Sequence, residues 1–233
     1  MRQGYRSMRG RLHSAIGCAL LAACLAPAAA ATSQASGTGD GDARRVVLVM
    51  GDSLSAGYGI AAGEAWPALV AQRMAREHPG CRVVNASISG ETTAGGSARV
   101  VGEVLHHRPA VVVVALGAND ALRGLPLAGL RRNLARMIGA SRHVGAEVLL
   151  AGMRMPPNLG PDYTRGFERS YVQLGDLFDV AVLPFLLEPI AHDRANFQDD
   201  NLHPTADAQP AIAAHVWTAL DPLLNRACPA APR

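Results

Sequence analysis

Residues 46–55 read VVLVMGDSLS. The first five of these residues are apolar and mostly β-branched, which is typical of a buried strand. Gly51 ends the apolar run, so Ser53 is predicted to lie at the carboxyl end of this strand. In open α/β sheets that end is where ligands bind. Ser53 is therefore a candidate nucleophile, although Gly-Asp-Ser is also common in ordinary turns.

Beyond this run the chain alternates between short apolar segments and longer helical patterns. Strands separated by helices of this length form right-handed βαβ units, so we predict an α/β fold with a five-stranded parallel sheet. The segment Val111–Val114 is apolar on both faces, as a central parallel strand should be. The predicted strands are Val46–Met50, Arg82–Ala86, Val111–Leu116, Glu147–Ala151 and Val180–Leu183. The predicted helices are Ala65–Glu77, Thr93–His106, Leu127–His143, Asp162–Phe178 and a last one from about Ala208 to Leu220.

The first 31 residues have the features of a secretory signal peptide. They contain four arginines and no acidic residue, then an apolar run over residues 15–26, and then four consecutive alanines. A basic start, a short apolar middle and a small-residue exit are typical of such a leader. The apolar run is too short to span a membrane comfortably.

Two cleavage sites compete in this leader. An Ala-x-Ala site within residues 28–31 would release the protein into the periplasm or the medium, and we expect this outcome. Residues 21–24 (LAAC) instead resemble a bacterial lipobox, which would place a lipid on Cys24 and anchor the protein.

The charge of the remaining chain argues against a nucleic-acid partner. Without the four leader arginines, 18 of the 22 basic residues remain against 19 acidic ones, and they form no basic stripe.

Residues 32–43 are rich in Ser, Gly, Thr and Asp and are predicted to be a flexible lead-in. One domain over residues 44–226 and a short tail over residues 227–233 follow.

Two of the four cysteines, Cys81 and Cys228, lie outside the leader. An exported protein permits a disulfide between them, and two unpaired thiols are the alternative. Their spacing matches no metal-binding motif, and no metal site is predicted.

A serine hydroxyl is a weak nucleophile at neutral pH, so Ser53 needs an adjacent base. Among eight histidines His203 differs, because Asp200 lies three residues before it in one predicted loop. A carboxylate at this spacing can accept from Nδ1 and leave Nε2 free for Ser53. Taken alone, the pair also fits a surface loop that caps the following helix.

An attacked carbonyl also needs hydrogen-bond donors aimed at its developing negative charge. Gly90 follows the second strand, and a residue without a side chain lets a substrate oxygen approach its N–H closely. Asn119 follows the third strand and can donate its side-chain amide. A turn glycine and an Asx turn are the ordinary alternatives for these two residues.

Together these motifs strongly resemble the SGNH, or GDSL-type, hydrolases, whose four blocks occur here in order. Several further segments are similar to the bacterial exported thioesterase I/lysophospholipase group, whose members are often called arylesterases. The resemblance covers about residues 44–224. The four blocks are GDSLS at 51–55, Gly90, Gly117-x-Asn119-Asp120 and Asp200-x-x-His203-Pro204. The further segments are AWPAL at 65–69, NASISGET at 85–92, LPF at 183–185 and DAQP at 207–210.

The resemblance implies a flavodoxin-like three-layer α/β/α sandwich. It implies that Ser53 is the nucleophile and that His203 is the base, oriented by Asp200. It also implies an oxyanion hole made by the backbone N–H groups of Ser53 and Gly90 and the side-chain amide of Asn119. It implies neither a metal nor an organic cofactor.

The segment after the fourth strand, residues 153–161, is rich in Met and Pro and suits an adaptable wall for an acyl chain. In the family this region lines the acyl groove, so Met153, Met155, Pro156 and Leu159 are candidate substrate contacts. A connecting loop packed on the core is the alternative.

We expect the substrates to be small-molecule acyl esters and thioesters, including aryl esters, acyl-CoA and lysophospholipids. The protein is expected to be a monomer. A lipid on Cys24 or a lipid substrate would associate it with a membrane.

Two other functions fit parts of the sequence. A carbohydrate O-deacetylase uses the same fold and blocks, but aromatic residues, which form sugar platforms, make up only 4% of this chain. A non-catalytic nucleotide-binding module would also place a glycine turn after the first strand. This chain lacks both the G-x-G-x-x-G spacing and the P-loop lysine.

Overall fold

The computed structural model describes residues 45–155 and 159–228. The predicted leader, the predicted lead-in and the last five residues of the tail lie outside the described residues. The strands are Arg45–Gly51 (β1), Cys81–Asn85 (β2), Val111–Ala115 (β3), Glu147–Ala151 (β4) and Ala181–Leu183 (β5). The helices are Ser53–Ala56 (α1), Trp66–Glu77 (α2), Thr93–His107 (α3), Ala118–Leu122 (α4), Leu127–His143 (α5), Pro161–Phe178 (α6) and Gln209–Ala227 (α7).

The five strands form one parallel sheet in the order β2-β1-β3-β4-β5. Helices α2 and α7 pack on each other, while α3, α5 and α6 pack side by side as a second group. The predicted α/β fold with a five-stranded parallel sheet is confirmed, and the strand order is that of flavodoxin-like folds.

The centre of the sheet is covered on both faces. In β3 the four valines from Val111 to Val114 are fully buried, and Val47 and Leu48 of β1 beside them are buried as well. A strand covered by helices on both sides needs apolar residues at successive positions, which explains the unbroken valine run.

Helix α7 is longer than predicted. It continues past Pro222 to Ala227, although a proline inside a helix removes one backbone hydrogen bond. Leu223 and Leu224 lie beyond the proline and are buried in the core. Burial of these side chains outweighs the local preference to end the helix.

A side-chain contact joins the start of α2 to the start of α7. The backbone N–H of Trp66 donates to Oε1 of Gln209 at 2.9 Å, and Gln209 is buried. Both residues belong to segments that resemble the thioesterase I group. In this protein those segments have a structural role, because they connect the starts of α2 and α7.

The structure joins Cys81, at the start of β2, to Cys228, at the end of α7, by a disulfide. The bond spans 147 positions of the chain and lies at the amino end of the strands, away from the edge that carries Ser53. In the part of the chain that is described, no helix is long and apolar enough to cross a bilayer.

Replacing Cys228 with Ser should lower the free energy of unfolding by about 3 kcal/mol, because the unfolded chain regains the freedom of a long loop. Chemical denaturation of the oxidised protein and the variant measures this difference. Ester hydrolysis under native conditions should be unchanged, because the bond is remote from Ser53. Equal stability of the two proteins would show that the bond contributes nothing.

Candidate active site

Ser53 is the first residue of α1, directly after β1. The turn is held by Asp52, whose Oδ1 accepts from the backbone N–H of Leu54 at 3.0 Å. Gly51 has no space for a side chain, since an added Cβ would lie 2.5 Å from Oγ of Ser55. The chain can therefore turn sharply and place the Ser53 hydroxyl in a cavity at the strand ends.

His203 reaches the site on a loop that comes from the other end of the chain. An isolated antiparallel bridge between Phe197 and Pro204 closes this loop. The backbone N–H of Gln198 donates to the His203 carbonyl at 2.8 Å. Asn201 adopts φ +58° at the tip, a left-handed conformation that asparagine tolerates better than most residues. These contacts give the histidine a defined position.

Ser53, His203 and Asp200 form a continuous hydrogen-bonded line. Nε2 of His203 lies 2.9 Å from Oγ of Ser53, and Nδ1 lies 2.6 Å from Oδ2 of Asp200. Because an ionised carboxylate only accepts hydrogen bonds, Nδ1 carries the ring hydrogen and Nε2 presents its lone pair to the serine.

The other oxygen of Asp200, Oδ1, accepts from the backbone N–H groups of Leu202 and His203. The hydrogen bonds from His203, followed by that from Leu202, lower the pKa of Asp200 to about 2. The carboxylate therefore stays ionised throughout the neutral range, where it can stabilise a protonated imidazole.

Gly90 and Asn119 face the same cavity as Ser53. Gly90 has φ +78° with open space around it, so its requirement for glycine is conformational. No acceptor among the described residues takes the backbone N–H of Ser53 or of Gly90. Both amides are thus available to a substrate oxygen.

The side-chain amide of Asn119 already has two acceptors. Nδ2 lies 3.1 Å from the Glu91 carbonyl and 3.3 Å from Oδ2 of Asp52. The segment that carries Gly90 is held by two arginines as well. Arg99 donates to Glu91 and to the Ala86 carbonyl, and Arg123 donates to the Gly90 carbonyl.

Two adjoining cavities open at this edge of the sheet. The first, about 310 Å³, contains Ser53, Gly90, Asn119 and His203. The second, about 750 Å³, is mostly apolar and shares Leu122 and Leu202 with the first. A substrate whose carbonyl lies in the first cavity can therefore place its apolar chain in the second.

Two of the four predicted substrate contacts line the larger cavity. Met153 and Met155 do so, together with Phe185, which the substrate prediction missed. Leu159 instead packs against the hydrophobic core and is not among the described lining residues of either cavity. Packing on the core accounts for its apolar side chain, its contact with substrate stays a prediction, and Pro156 lies outside the described residues.

Sequence reasoning missed the residues that support the site. Gln198 donates through Nε2 to the Tyr58 and Pro204 carbonyls, and so joins the Ser53 side of the cavity to the His203 loop. The Tyr58 ring lies 4.4 Å from the His203 ring, centroid to centroid. Their partners are distant in sequence, so no local pattern identifies these residues.

Within the described ranges no group of three or more His, Cys, Asp or Glu side chains is placed to hold a metal ion. The chemistry that the site offers comes from a hydroxyl, an imidazole, a carboxylate, two backbone N–H groups without an acceptor among the described residues and the side-chain amide of Asn119. This set is suited to nucleophilic attack on a carbonyl.

The chain belongs to the GDSL-like lipase/acylhydrolase family, whose model matches residues 49–210. Esterase TesA of Pseudomonas aeruginosa is 44% identical over 182 residues, which are 78% of this chain and 90% of that protein. Thioesterase 1/protease 1/lysophospholipase L1 of Escherichia coli K12 is 41% identical over 179 residues, 77% of this chain and 85% of that protein.

A solved structure resembles the chain as well. The psychrotrophic esterase EstA from Pseudoalteromonas sp., in a form inhibited by monoethylphosphonate, is 34% identical with a TM-score of 0.74. The match covers 78% of this chain and 99% of that one. The predicted resemblance to the SGNH hydrolases is confirmed.

Proposed function

We propose that this protein is a serine esterase and thioesterase that forms an acyl-enzyme on Ser53. The observation that carries the proposal is the line from Ser53 through His203 to Asp200, with contacts of 2.9 and 2.6 Å, opening into a cavity that also contains Gly90 and Asn119. The esterase and thioesterase names of its relatives support the same reaction class.

In the first half of the reaction, Oγ of Ser53 attacks the carbonyl carbon while its proton passes to Nε2 of His203. The ionised Asp200 stabilises the imidazolium that forms. The negative oxygen of the tetrahedral intermediate accepts from the N–H groups of Ser53 and Gly90. It also accepts from the amide of Asn119, in place of the longer contact that this amide makes with Oδ2 of Asp52. The intermediate then expels the alcohol or thiol, which takes the proton from Nε2.

In the second half, His203 removes a proton from water as the water oxygen attacks the acyl-enzyme. The same donors hold the second tetrahedral oxygen. Collapse of this intermediate returns the proton to Oγ of Ser53 and releases the carboxylic acid. The product acid loses its proton to solvent, and the site is restored.

The apolar cavity supports acyl chains of medium to long length as substrates. Its Met153, Met155 and Phe185 side chains offer adaptable and aromatic surface to an alkyl chain. Acyl-CoA, lysophospholipids and aryl esters of longer acids each combine such a chain with a carbonyl that Ser53 can attack. The acetyl group transferred by a carbohydrate O-deacetylase would not fill the larger cavity.

The predicted roles of Ser53 and Asn119 are tested by substitution. Ser53→Ala should abolish hydrolysis of p-nitrophenyl butyrate and labelling by a fluorophosphonate, while the protein stays folded. Asn119→Ala should lower kcat about 100-fold with little change in KM, since one oxyanion donor contributes about 3 kcal/mol. Steady-state kinetics and circular dichroism measure these effects. Normal turnover by Ser53→Ala would refute the nucleophile, and unchanged kcat in Asn119→Ala would remove it from the oxyanion hole.

The substrate preference is tested with p-nitrophenyl esters from acetate to palmitate. We expect kcat/KM to rise with chain length, and Met155→Ala to reduce it about tenfold for long chains but not for acetate, because apolar contact is lost. Met74→Ala, which removes a buried methionine of α2 remote from both cavities, is the matched control. A sharp preference for acetate would favour deacetylation instead.

We also propose that the protein is exported and acts as a monomer in the periplasm or the medium. The composition of residues 1–31 supports export. Mass spectrometry of the mature N-terminus and light scattering test both statements. A diacylglyceryl group on Cys24 would show a lipid-anchored protein, and a dimer mass would refute the monomer.

A further inference from the structure

The larger cavity has a basic part that the reaction above does not use. Arg154, His192 and Arg194 contribute to its wall, and none of its described lining residues is acidic. An alkyl chain needs only the apolar part of this wall, because it offers a charged group neither a counter-ion nor a hydrogen bond. Three basic side chains at a cavity without a described acid predict a negatively charged ligand.

Arg154 follows β4 and is held at the cavity by contacts that leave its donors available. Cζ lies 5.3 Å from the centroid of the Phe185 ring, which also lines the cavity. The carboxylates of Glu168 and Glu188 lie 4.0 and 3.9 Å from the guanidinium, too far for hydrogen bonds, and neither glutamate lines the cavity. An anion that accepts two hydrogen bonds at normal distance would bind the guanidinium more strongly than these glutamates do.

Arg194 reaches the same cavity from the loop that follows β5. It begins a short 3-10 helix, which is capped by the side chain of Asp193. Nη1 of Arg194 donates to the Phe197 carbonyl at 2.6 Å, so one end of the guanidinium has a fixed position. Within the described part of the chain no carboxylate lies within 4.0 Å of this guanidinium. Its remaining N–H groups are available to a ligand.

We propose that the larger cavity contains an anion subsite, in which Arg154 and Arg194 bind a carboxylate at the far end of the acyl chain. The substrates of this class are half-esters and half-thioesters of dicarboxylic acids. The inference rests on the proposed function, because it assumes that the acyl chain attached to Ser53 extends into this cavity. Arginine suits the task, since its planar group can donate two parallel hydrogen bonds to one carboxylate.

The positions of the two arginines favour the acyl chain as the source of the anion. Arg154 and Arg194 line only the larger cavity, whereas Ser53 lines only the smaller one. The residues that the two cavities share, Leu122 and Leu202, are apolar. A stretch of alkyl chain between the carbonyl and the anion fits this sequence of surfaces. The phosphates of a CoA leaving group are the second source of an anion, and the experiment distinguishes the two.

The test compares mono-p-nitrophenyl esters of dicarboxylic acids, from adipate to dodecanedioate, with the same compounds whose free carboxylate is capped as a methyl ester. At the chain length that reaches the arginines, kcat/KM at pH 8 should favour the charged substrate about fivefold, the effect of one partly exposed ion pair. A cavity without an anion subsite would favour the neutral substrate, because a carboxylate loses its hydration there without gaining a partner.

Arg154→Gln and Arg194→Gln each remove one charge and keep a polar side chain. Each should lower the ratio of charged to neutral kcat/KM about fivefold, and this ratio cancels any change in the ester reaction itself. The matched control is Arg165→Gln. Arg165 pairs with Asp162 at 2.7 Å and lines neither cavity, so its ratio should equal that of the unaltered protein. Circular dichroism verifies that the variants are folded.

A second measurement needs no substitution. Raising the NaCl concentration from about 0.02 to about 0.5 M should lower the preference for the charged substrate about threefold, because salt screens a partly exposed ion pair. The side chain of Arg154 is 49% exposed, so solvent ions can reach it. A preference that does not change with salt would show that no ion pair is formed, and would overturn the proposal.

Preference for the neutral substrate at every chain length would overturn the proposal, and so would equal ratios in the unaltered protein and both variants. If the two substitutions lower kcat/KM for butyryl-CoA but leave the ratio unchanged, the anion belongs to the leaving group, and the proposal is wrong. Failure of the proposed function would be seen in the rates themselves. In that case neither substrate series is hydrolysed, or Ser53→Ala hydrolyses both normally.

Discussion

The parallel pairing of β1 with β2 on one side and β3 on the other determines where the site lies. The registers Val49 to Asn85 and Gly51 to Ala115 bring the ends of the three strands to one edge of the sheet. The helices after β1 and β3 belong to different packing groups, so a crevice opens between these strand ends. The nucleophile and the oxyanion donors follow these strands and meet there, although they are far apart in the sequence.

The loop that carries His203 follows no strand. Side-chain and backbone hydrogen bonds therefore attach it to this edge of the sheet. The Gln198 side chain donates to the Tyr58 carbonyl, on the Ser53 side of the cavity, and to the Pro204 carbonyl within the loop. Asp200 holds His203 through contacts within four residues, whereas the contact between His203 and Ser53 spans 150 positions. The catalytic geometry therefore depends on how the loop with Asp200 and His203 packs against the edge of the sheet that carries Ser53.

Buried and half-buried polar groups connect this edge to the rest of the molecule. Arg99 ties the Gly90 segment to α3 through Glu91, and the ion pair raises the pKa of the arginine. Asp120 caps the start of α3 by accepting from the backbone and hydroxyl of Thr93. Because unpaired polar groups are costly in the interior, such networks favour a single arrangement of the strand-end loops.

Much of the fold and the core of the site followed from local sequence. Apolar runs bounded by turn residues located all five strands, since a parallel strand is buried on both faces and needs no alternation. The end of α7 was missed because the burial of Leu223 and Leu224 overrides the proline before them. Leu159 packs against the core, and its role as a ligand contact stays a prediction, because an apolar side chain looks the same in sequence whether it meets the core or a substrate.

The sequence by itself determined the order of the five strands and the five long helices, the turn at Ser53 and the short spacing of Asp200 and His203, but not the short helices α1 and α4. These features depend on periodicity and on geometry within a few residues. Only the tertiary structure decided which cavity adjoins Ser53, that Cys81 meets Cys228, and that Asp52 contacts Asn119. Such contacts join residues far apart in the chain, and the packing of the whole sheet and its helices sets their distances.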